Sequence, residues 1–354
     1  MKPTMMTYIR EEPAALTQIL RDHAQKLQAV ETVAQTRAIN RILILATGSS
    51  LNAALCARYF FEQQFGMLLK IKEPYNFTHY ERIDPHTDMV IAVSQSGKSA
   101  STLEAVRKIR AASLPVLALT SDPQSPIARE CDEIIDINTG IETVGFVTRG
   151  FSATVLNLLL IALTIARTQG KATAQECTEW LAGLERLIDA LPAAIEQTQA
   201  FIQRHQETLR AGSRFVAVGY GALVGVAKEC ETKFTETVRV PSSGFELEAY
   251  MHGPYLEANR EHVMFFISDR HDPRSEALRK YMAPAVKKAF SLTLEGDQDD
   301  DNTLALNCPL DHHLAPLLLI VPVQILACHI AALKGIDLSV RIFDDFDRVL
   351  KSKI

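Results

Sequence analysis

The fold is decided by the stretch Asp88-Met-Val-Ile-Ala-Val-Ser-Gln-Ser-Gly-Lys-Ser99. Residues 88–93 form a short apolar run, which is typical of a buried strand, and the segment 100–112 has the pattern of a helix. The polar loop between them, Ser94–Ser99, offers backbone N–H groups and the positive end of a helix dipole to an anion. The loop lacks the Gly-x4-Gly-Lys-Ser/Thr spacing of a nucleotide-binding P-loop.

The same order of strand, polar loop and helix recurs along the chain. Apolar runs that predict strands stand at 41–46, 115–119, 133–137, 214–218, 263–268 and 292–294, and a polar helical connector stands at 172–210. Strands that alternate with helices predict an α/β fold with mostly parallel sheets between helices. The repetition predicts two copies of one module. We therefore expect a helical segment at 1–30, a first module at 31–200 and a second module with a C-terminal tail at 201–354.

A second polar loop, Thr47-Gly-Ser-Ser50, follows the predicted strand at 41–46. The carboxyl ends of parallel strands meet at one crevice, so we expect both loops to face the same ligand. Helix capping would explain a single loop of this kind, whereas two loops aimed at one crevice favour a phosphate. The expected phosphate-binding residues are Ser49, Ser50, Ser94, Gln95, Ser96 and Ser99.

Composition and charge exclude several classes of protein. The 354 residues carry a net charge of −5, which argues against a nucleic-acid partner. None of the six cysteines forms a CxxC pair, so we expect a reduced protein without a zinc site. The N-terminus has no apolar signal-peptide core, and the apolar stretch 315–333 is interrupted by polar residues and prolines. We therefore expect a soluble cytoplasmic protein that does not bind membranes.

Read in order, these motifs resemble the sugar isomerase (SIS) domain family, and above all the isomerase domain of glucosamine-6-phosphate synthase. Ser94-Gln-Ser-Gly97 is similar to its Ser-Gln-Ser-Gly-Glu-Thr loop, and residues 142–151 are similar to its Glu-x4-Ser-Thr-Lys-Ala-Phe segment. The helix at 228–236 and the sequence His252-Gly-Pro254 follow the family's spacing in the second half. The resemblance implies two tandem SIS modules, each a three-layer α/β/α structure of flavodoxin-like type.

The resemblance also implies roles for particular residues. Glu236 matches the carboxylate that moves a proton between C1 and C2 of the sugar, a task for general acid–base chemistry. His252 matches the ring-opening histidine, which relatives receive from a neighbouring subunit, so a homodimer with shared sites is expected. Lys233 matches a lysine that stabilises an enediolate-like intermediate, and Lys351 or Lys353 matches a C-terminal lysine. Thr148 and Tyr250 are expected to contact the substrate, and no metal or organic cofactor is required.

Two degradative reactions remain open. The sequence begins directly in the isomerase region, so we expect it to lack the synthase's glutaminase domain and to release an amine. Tyr250, two residues before His252, resembles bacterial deglycases, which convert a fructosamine 6-phosphate such as fructoselysine 6-phosphate into hexose 6-phosphate and a free amine. Lys233 is instead typical of the synthase, which leaves deamination of glucosamine 6-phosphate or aldose–ketose isomerisation as alternatives. A non-catalytic sugar-phosphate regulator is the alternative of another class, although such regulators usually carry one module and a helix-turn-helix.

Overall fold

A computed structural model describes residues 2–270, 272–296 and 300–354. Residues 1, 271 and 297–299 of the segments predicted above lie outside the described residues. The strands are β1 (Arg41–Leu45), β2 (Leu68–Lys72), β3 (Met89–Val93), β4 (Val116–Thr120), β5 (Glu133–Asp136), β6 (Arg214–Gly219), β7 (Ser242–Glu246), β8 (His262–Ser268), β9 (Lys288–Thr293) and β10 (Thr303–Ala305). The helices are α1 (Met5–Lys26), α2 (Gln28–Thr36), α3 (Ser49–Tyr59), α4 (Pro74–Tyr80), α5 (Ala100–Ala111), α6 (Pro126–Glu130), α7 (Arg149–Thr168), α8 (Ala174–Ala211), α9 (Leu223–Thr237), α10 (Leu247–Met251), α11 (Pro273–Met282), α12 (Ala315–Leu333) and α13 (Phe346–Leu350).

The first sheet has the strand order β2-β1-β3-β4-β5, and every pair in it is parallel. Strands β3 and β4 are buried at every position, because helices cover both faces of the sheet. Their uninterrupted apolar runs are therefore what a central parallel strand requires. The α/β fold predicted from the sequence is confirmed.

The second sheet has the order β7-β6-β8-β9-β10 and is also wholly parallel. Numbered from its own first strand, this order is the same as that of the first sheet. In each sheet the chain places its second strand on one side of the first and the remaining three on the other. The prediction of two tandem modules is confirmed.

The two compact units of the structure interleave along the chain. The first-module unit comprises 14–182 together with 341–354, and the second-module unit comprises 183–340 together with the residues up to Pro13. The C-terminal tail therefore belongs with the first module, whereas the sequence led us to expect it with the second. The reason is backbone pairing, because the tail forms an antiparallel bridge between Lys353 and Ser99.

Helices α7 and α12 are long and apolar enough to cross a membrane. The most apolar window of α7 is 94% buried inside the protein, and that of α12 is 78% buried. Such burial is typical of the core helices of a folded domain, and the buried helix predicted at 315–333 is confirmed as α12.

Candidate functional site

Both predicted phosphate loops lie at the same edge of the first sheet. Strands β1 and β3 are neighbours, Thr47–Ser50 follows β1, and Ser94–Ser99 follows β3. Helices α3 and α5 begin within or directly after these loops, at Ser49 and Ala100. The carboxyl ends of two adjacent parallel strands thus present two helix N-termini and a set of hydroxyl groups, an arrangement that suits an anion.

Gly97 shapes the loop after β3. Its φ is +62°, and a Cβ atom at this position would lie 2.0 Å from Oγ of Ser125. The carbonyl of Gly97 accepts a hydrogen bond from the N–H of Ile127 at 3.2 Å. Only glycine fits both the left-handed backbone and this close approach, so the loop has one defined shape.

The serines of this loop differ in what they contact. Ser99 is the N-cap of α5, and its Oγ accepts hydrogen bonds from the N–H and the hydroxyl of Thr102, at 3.4 and 2.9 Å. Ser96 Oγ accepts a long hydrogen bond from the N–H of Lys98 at 3.4 Å, and Ser94 is buried. Capping therefore accounts for Ser99, whereas the hydroxyls of Ser94 and Ser96 contribute little to holding the loop together.

Gln95 joins the loop to the start of α7. Its carbonyl accepts hydrogen bonds from the N–H of Ser121 at 2.8 Å and from the hydroxyl of Thr120 at 3.2 Å. Its side-chain Nε2 is buried and has no hydrogen-bond partner among the described residues. A Cβ atom on Gly150 would lie 2.0 Å from that nitrogen, so the amide packs directly against the backbone of α7.

Glu142 organises the start of α7, a role that sequence reasoning missed. Its two carboxylate oxygens accept hydrogen bonds from the N–H groups of Thr148 at 2.8 Å and Gly150 at 2.5 Å. Thr148 is buried, and its hydroxyl donates to the carbonyl of Phe146 at 2.9 Å. The six-residue spacing between Glu142 and Thr148 is longer than that of a capping box, so the usual sequence signature does not reveal this cap.

The C-terminal tail pairs with the same loop. The carbonyl of Ser352 accepts a hydrogen bond from the N–H of Ala100 at 3.1 Å, and the carbonyl of Lys98 accepts one from the N–H of Ile354 at 3.0 Å. Lys353 forms an ion pair with Asp347 at 2.8 Å. Lys351 is exposed in a left-handed conformation and forms no ion pair within the described part of the chain. The role of either lysine in the site therefore stays a prediction.

In the second-module unit, α9 carries a buried charge cluster. Lys233 is fully buried, with its Nζ 2.5 Å from Oε2 of Glu236 and 3.5 Å from Oε1 of Glu229, which is also fully buried. Burial lowers the pKa of Lys233, but the carboxylates of Glu229 and Glu236 outweigh it and raise the pKa above its ordinary value. Lys233 is therefore a fixed cation, and it holds one oxygen of Glu236.

Glu236 is the accessible member of this cluster, with 37% of its side chain exposed. A carboxylate that is held on one side and open on the other can exchange a proton with a bound molecule. Sequence reasoning identified Lys233 and Glu236 but missed Glu229. The signal that could have found it is its position four residues before Lys233, on the same face of the helix.

His252 lies on the surface of the second-module unit. Its side chain is 80% exposed, and its Nε2 lies 4.0 Å from Oε2 of Glu248. No hydrogen bond or ion pair joins it to Glu236 or Lys233 in the residues that the structure describes. The accessible ring agrees with the expectation that His252 acts outside its own chain, and that role stays a prediction.

Tyr250 occupies the hydrophobic core instead of the surface. It is 1% exposed, its hydroxyl donates to Sδ of Met264 at 3.7 Å, and its ring packs against Phe245. Burial raises the pKa of Tyr250 to about 12. This environment favours a packing role over the substrate contact expected from the sequence, because the hydroxyl faces the interior.

Comparison with known proteins agrees with the geometry. Residues 37–167 match the model of the SIS domain. The chain is 27% identical to the isomerizing glutamine–fructose-6-phosphate aminotransferase of Symbiobacterium thermophilum over 348 residues, which are 94% of this chain and 56% of that protein. The chain thus spans about half the length of the curated relatives it matches.

Solved structures show the same fold. A candidate phosphosugar isomerase from Clostridium difficile superposes with a TM-score of 0.89 and 23% identity, covering 98% of each chain. A glucosamine-6-phosphate deaminase from Thermotoga maritima superposes with a TM-score of 0.76 and 20% identity, covering 94% of this chain and 96% of that one. At these identities the likeness is one of fold.

Proposed function

As residues 37–167 form a SIS domain and the chain is homologous to the isomerase domain of the aminotransferases, we propose that it is an enzyme of 6-phosphorylated aminosugars. Its reaction class is proton transfer between C1 and C2 of the sugar, followed by release of an amine. The proposal rests on the carboxylate of Glu236, which is partly exposed to solvent. The ammonium of the buried Lys233 lies 2.5 Å from it. A protein that only binds a sugar phosphate has no need for a fully buried cation beside this carboxylate, because it is costly to take a charge out of water.

For a fructosamine 6-phosphate, Glu236 removes a proton from C1, which carries the amine, and a proton is returned to C2, which was the ketone carbon. The product is an imine at C1. Water then hydrolyses the C1–N bond of the imine to give hexose 6-phosphate and the free amine. The charge of Lys233 stabilises the enolate-like intermediate between the two proton transfers.

Deamination of glucosamine 6-phosphate is the second candidate. The Lys233–Glu236 pair favours it, because Lys233 matches a lysine in the isomerase domain of the synthase. Here the proton moves from C2, which carries the amine, to C1. The resulting imine at C2 is hydrolysed to fructose 6-phosphate and ammonia. Both reactions use the same groups and differ in which carbon carries nitrogen.

Incubation of the purified protein with three compounds tests the proposal. The compounds are fructoselysine 6-phosphate, glucosamine 6-phosphate and fructose 6-phosphate, and the products to be measured are amine, ammonia and hexose phosphates. Release of lysine with glucose 6-phosphate would support deglycation, and release of ammonia with fructose 6-phosphate would support deamination. Binding without turnover of any of the three would instead support the regulator.

We further propose that the protein acts in the cytoplasm as a homodimer with shared sites. The exposed ring of His252 supports the shared sites, because the resemblance to the SIS family implies a ring-opening histidine that comes from the neighbouring subunit.

Replacing Ser94 and Ser96 by alanine should raise KM and weaken inhibition by inorganic phosphate at least about tenfold. A hydrogen bond to a charged group is worth about 1.5–3 kcal/mol, and neither hydroxyl is needed to hold the loop. The inhibition constant of phosphate is the measurement. Thr36→Ala is the control, because its hydroxyl donates only within α2, to the carbonyl of Val33 at 2.9 Å. Unchanged phosphate affinity in the double variant would reduce the loop to a helix cap.

Mixing two inactive variants, Glu236→Gln and His252→Ala, should restore about a quarter of the wild-type activity after subunits dissociate and reassociate. Random pairing of two equal pools makes about half of the dimers mixed. If His252 serves the partner's site, each mixed dimer has one site with both defects and one intact site. Activity per site is the measurement. Proven subunit exchange without recovery of activity would place His252 in the site of its own chain.

A further inference from the structure

The second module repeats the strand order of the first and therefore has a crevice of its own. In each sheet the second strand is added on one side of the first strand and the later strands on the other side. The point where the strand order reverses lies between β1 and β3 in one sheet and between β6 and β8 in the other. Open α/β sheets bind ligands at this point, outside the carboxyl ends of the strands. In the first module the crevice carries the two serine-containing loops described above.

The crevice of the second module carries different chemistry. Tyr220 follows β6, Asp269 follows β8, and the hydroxyl of Tyr220 donates to Oδ1 of Asp269 at 2.7 Å. Asp269 is buried. A phenol hydroxyl and a carboxylate thus stand where the first module has serine hydroxyls and glycine backbone. The carboxylate disfavours a phosphate here and favours a cation.

Two imidazoles and a second carboxylate lie together in the segment before α12. Nδ1 of His313 lies 2.7 Å from Oδ1 of Asp311, and Nδ1 of His312 lies 3.7 Å from the same oxygen. The centroids of the two histidine rings are 3.8 Å apart. Each of the three residues offers one ligand atom, and these atoms all lie within 4.8 Å of one another. His312 is close enough to Asp269 and Arg270 for both charges to act on its ring.

The distances in this cluster suit a transition-metal ion. Zinc binds nitrogen and carboxylate oxygen at about 2.0–2.2 Å, so two ligands of one tetrahedral ion lie about 3.3–3.6 Å apart. The 3.7 Å separation is near this range. The 2.7 Å separation is a hydrogen bond between the His313 ring and the Asp311 carboxylate, which a bound ion would replace after a rotation of Asp311. His313 is buried whereas His312 and Asp311 are half-exposed, so the cluster has one fixed member and is open to solvent.

We propose that Asp311, His312 and His313 bind a divalent transition-metal ion, such as Zn²⁺ or Co²⁺, in the segment before α12 of the second module. Imidazole nitrogen together with carboxylate oxygen selects these ions over Mg²⁺ and Ca²⁺, which prefer oxygen ligands alone. The three residues of this site are distinct from those proposed for proton transfer, Lys233 and Glu236.

Titration with Co²⁺ tests the site, because tetrahedral Co²⁺ absorbs visible light when bound. The full chain is prepared without a histidine tag and stripped with a chelator. We expect one Co²⁺ per chain, displaced by Zn²⁺ and not by Mg²⁺. His312→Ala and Asp311→Asn, both at half-exposed positions, should each weaken binding at least about tenfold. His86→Ala, an exposed histidine of the first module, should leave binding unchanged.

Three results would overturn the proposal. One is the absence of Co²⁺ binding by the wild type at metal concentrations up to about 1 mM. A dissociation constant above this concentration corresponds to a binding free energy weaker than about 4 kcal/mol. Another is equal Co²⁺ affinity in the wild type and in both cluster variants, which would place the ion elsewhere. The third is displacement by Mg²⁺ as effective as that by Zn²⁺, which would exclude an imidazole site. None of these results bears on the turnover of a sugar phosphate.

Discussion

Glu236→Gln is expected to lower kcat by about a thousandfold while changing phosphate affinity by no more than a few-fold. The carboxylate is proposed to carry the proton between C1 and C2, and general acid–base groups contribute about a hundredfold to ten-thousandfold to a rate. Glutamine keeps the size of the side chain and an oxygen that can face Lys233. The loss should therefore fall on the transition state and leave substrate binding almost intact.

Glu231→Gln is the matched control, because Glu231 lies on the same helix and is partly exposed. Its Oε2 accepts a hydrogen bond from the N–H of Gly244 at 2.8 Å, which the amide oxygen of glutamine can replace. The measurements are kcat, KM and the inhibition constant of inorganic phosphate for both variants. A Glu236→Gln protein that turns over at a rate near that of the wild type would remove this residue from the mechanism.

Lys233→Met is expected to destabilise the fold by about 3–5 kcal/mol. The substitution leaves Glu229 fully buried without the cation that faces it at 3.5 Å, and breaking a buried ion pair costs about this much. Equilibrium unfolding in urea measures the loss. The double variant Glu229→Gln with Lys233→Met should recover most of the stability, because it removes the stranded charge as well.

Lys228→Met on the same helix is the control for this change. Lys228 pairs with Glu231 at 3.0 Å, but both side chains are about 40% exposed, so the expected change is below about 1 kcal/mol. Equal losses of stability in Lys233→Met and Lys228→Met would mean that the buried cluster stabilises the fold no more than the exposed ion pair does. Recovery in the double variant would separate the electrostatic penalty from a general packing defect.

The sequence patterns located the central strands and missed most of the edges. Strands β2, β7 and β10 were not predicted, and each lies at an edge of its sheet. Central parallel strands are buried on both faces and so must be continuously apolar, as in β3 and β8. An edge strand needs no such run, and β7 reads Ser-Ser-Gly-Phe-Glu with only its glycine buried. Its glycine is required because a Cβ would lie 2.1 Å from the carbonyl oxygen of Ala227, a contact that no local pattern contains.

The sequence by itself determined the α/β fold, the doubling of the module and the polar loop at 94–99 between a strand and a helix. These features depend on residues close together in the chain, where a strand, a loop and a helix read as one pattern. Only the tertiary structure decided that Tyr250 is core, that Glu142 caps α7, that the tail joins the first-module unit and that Tyr220 bonds Asp269. These contacts join residues that the chain separates, or depend on which face of an element is buried. Local composition does not predict these contacts or the buried face of an element, because both arise only when the helices pack against the sheets.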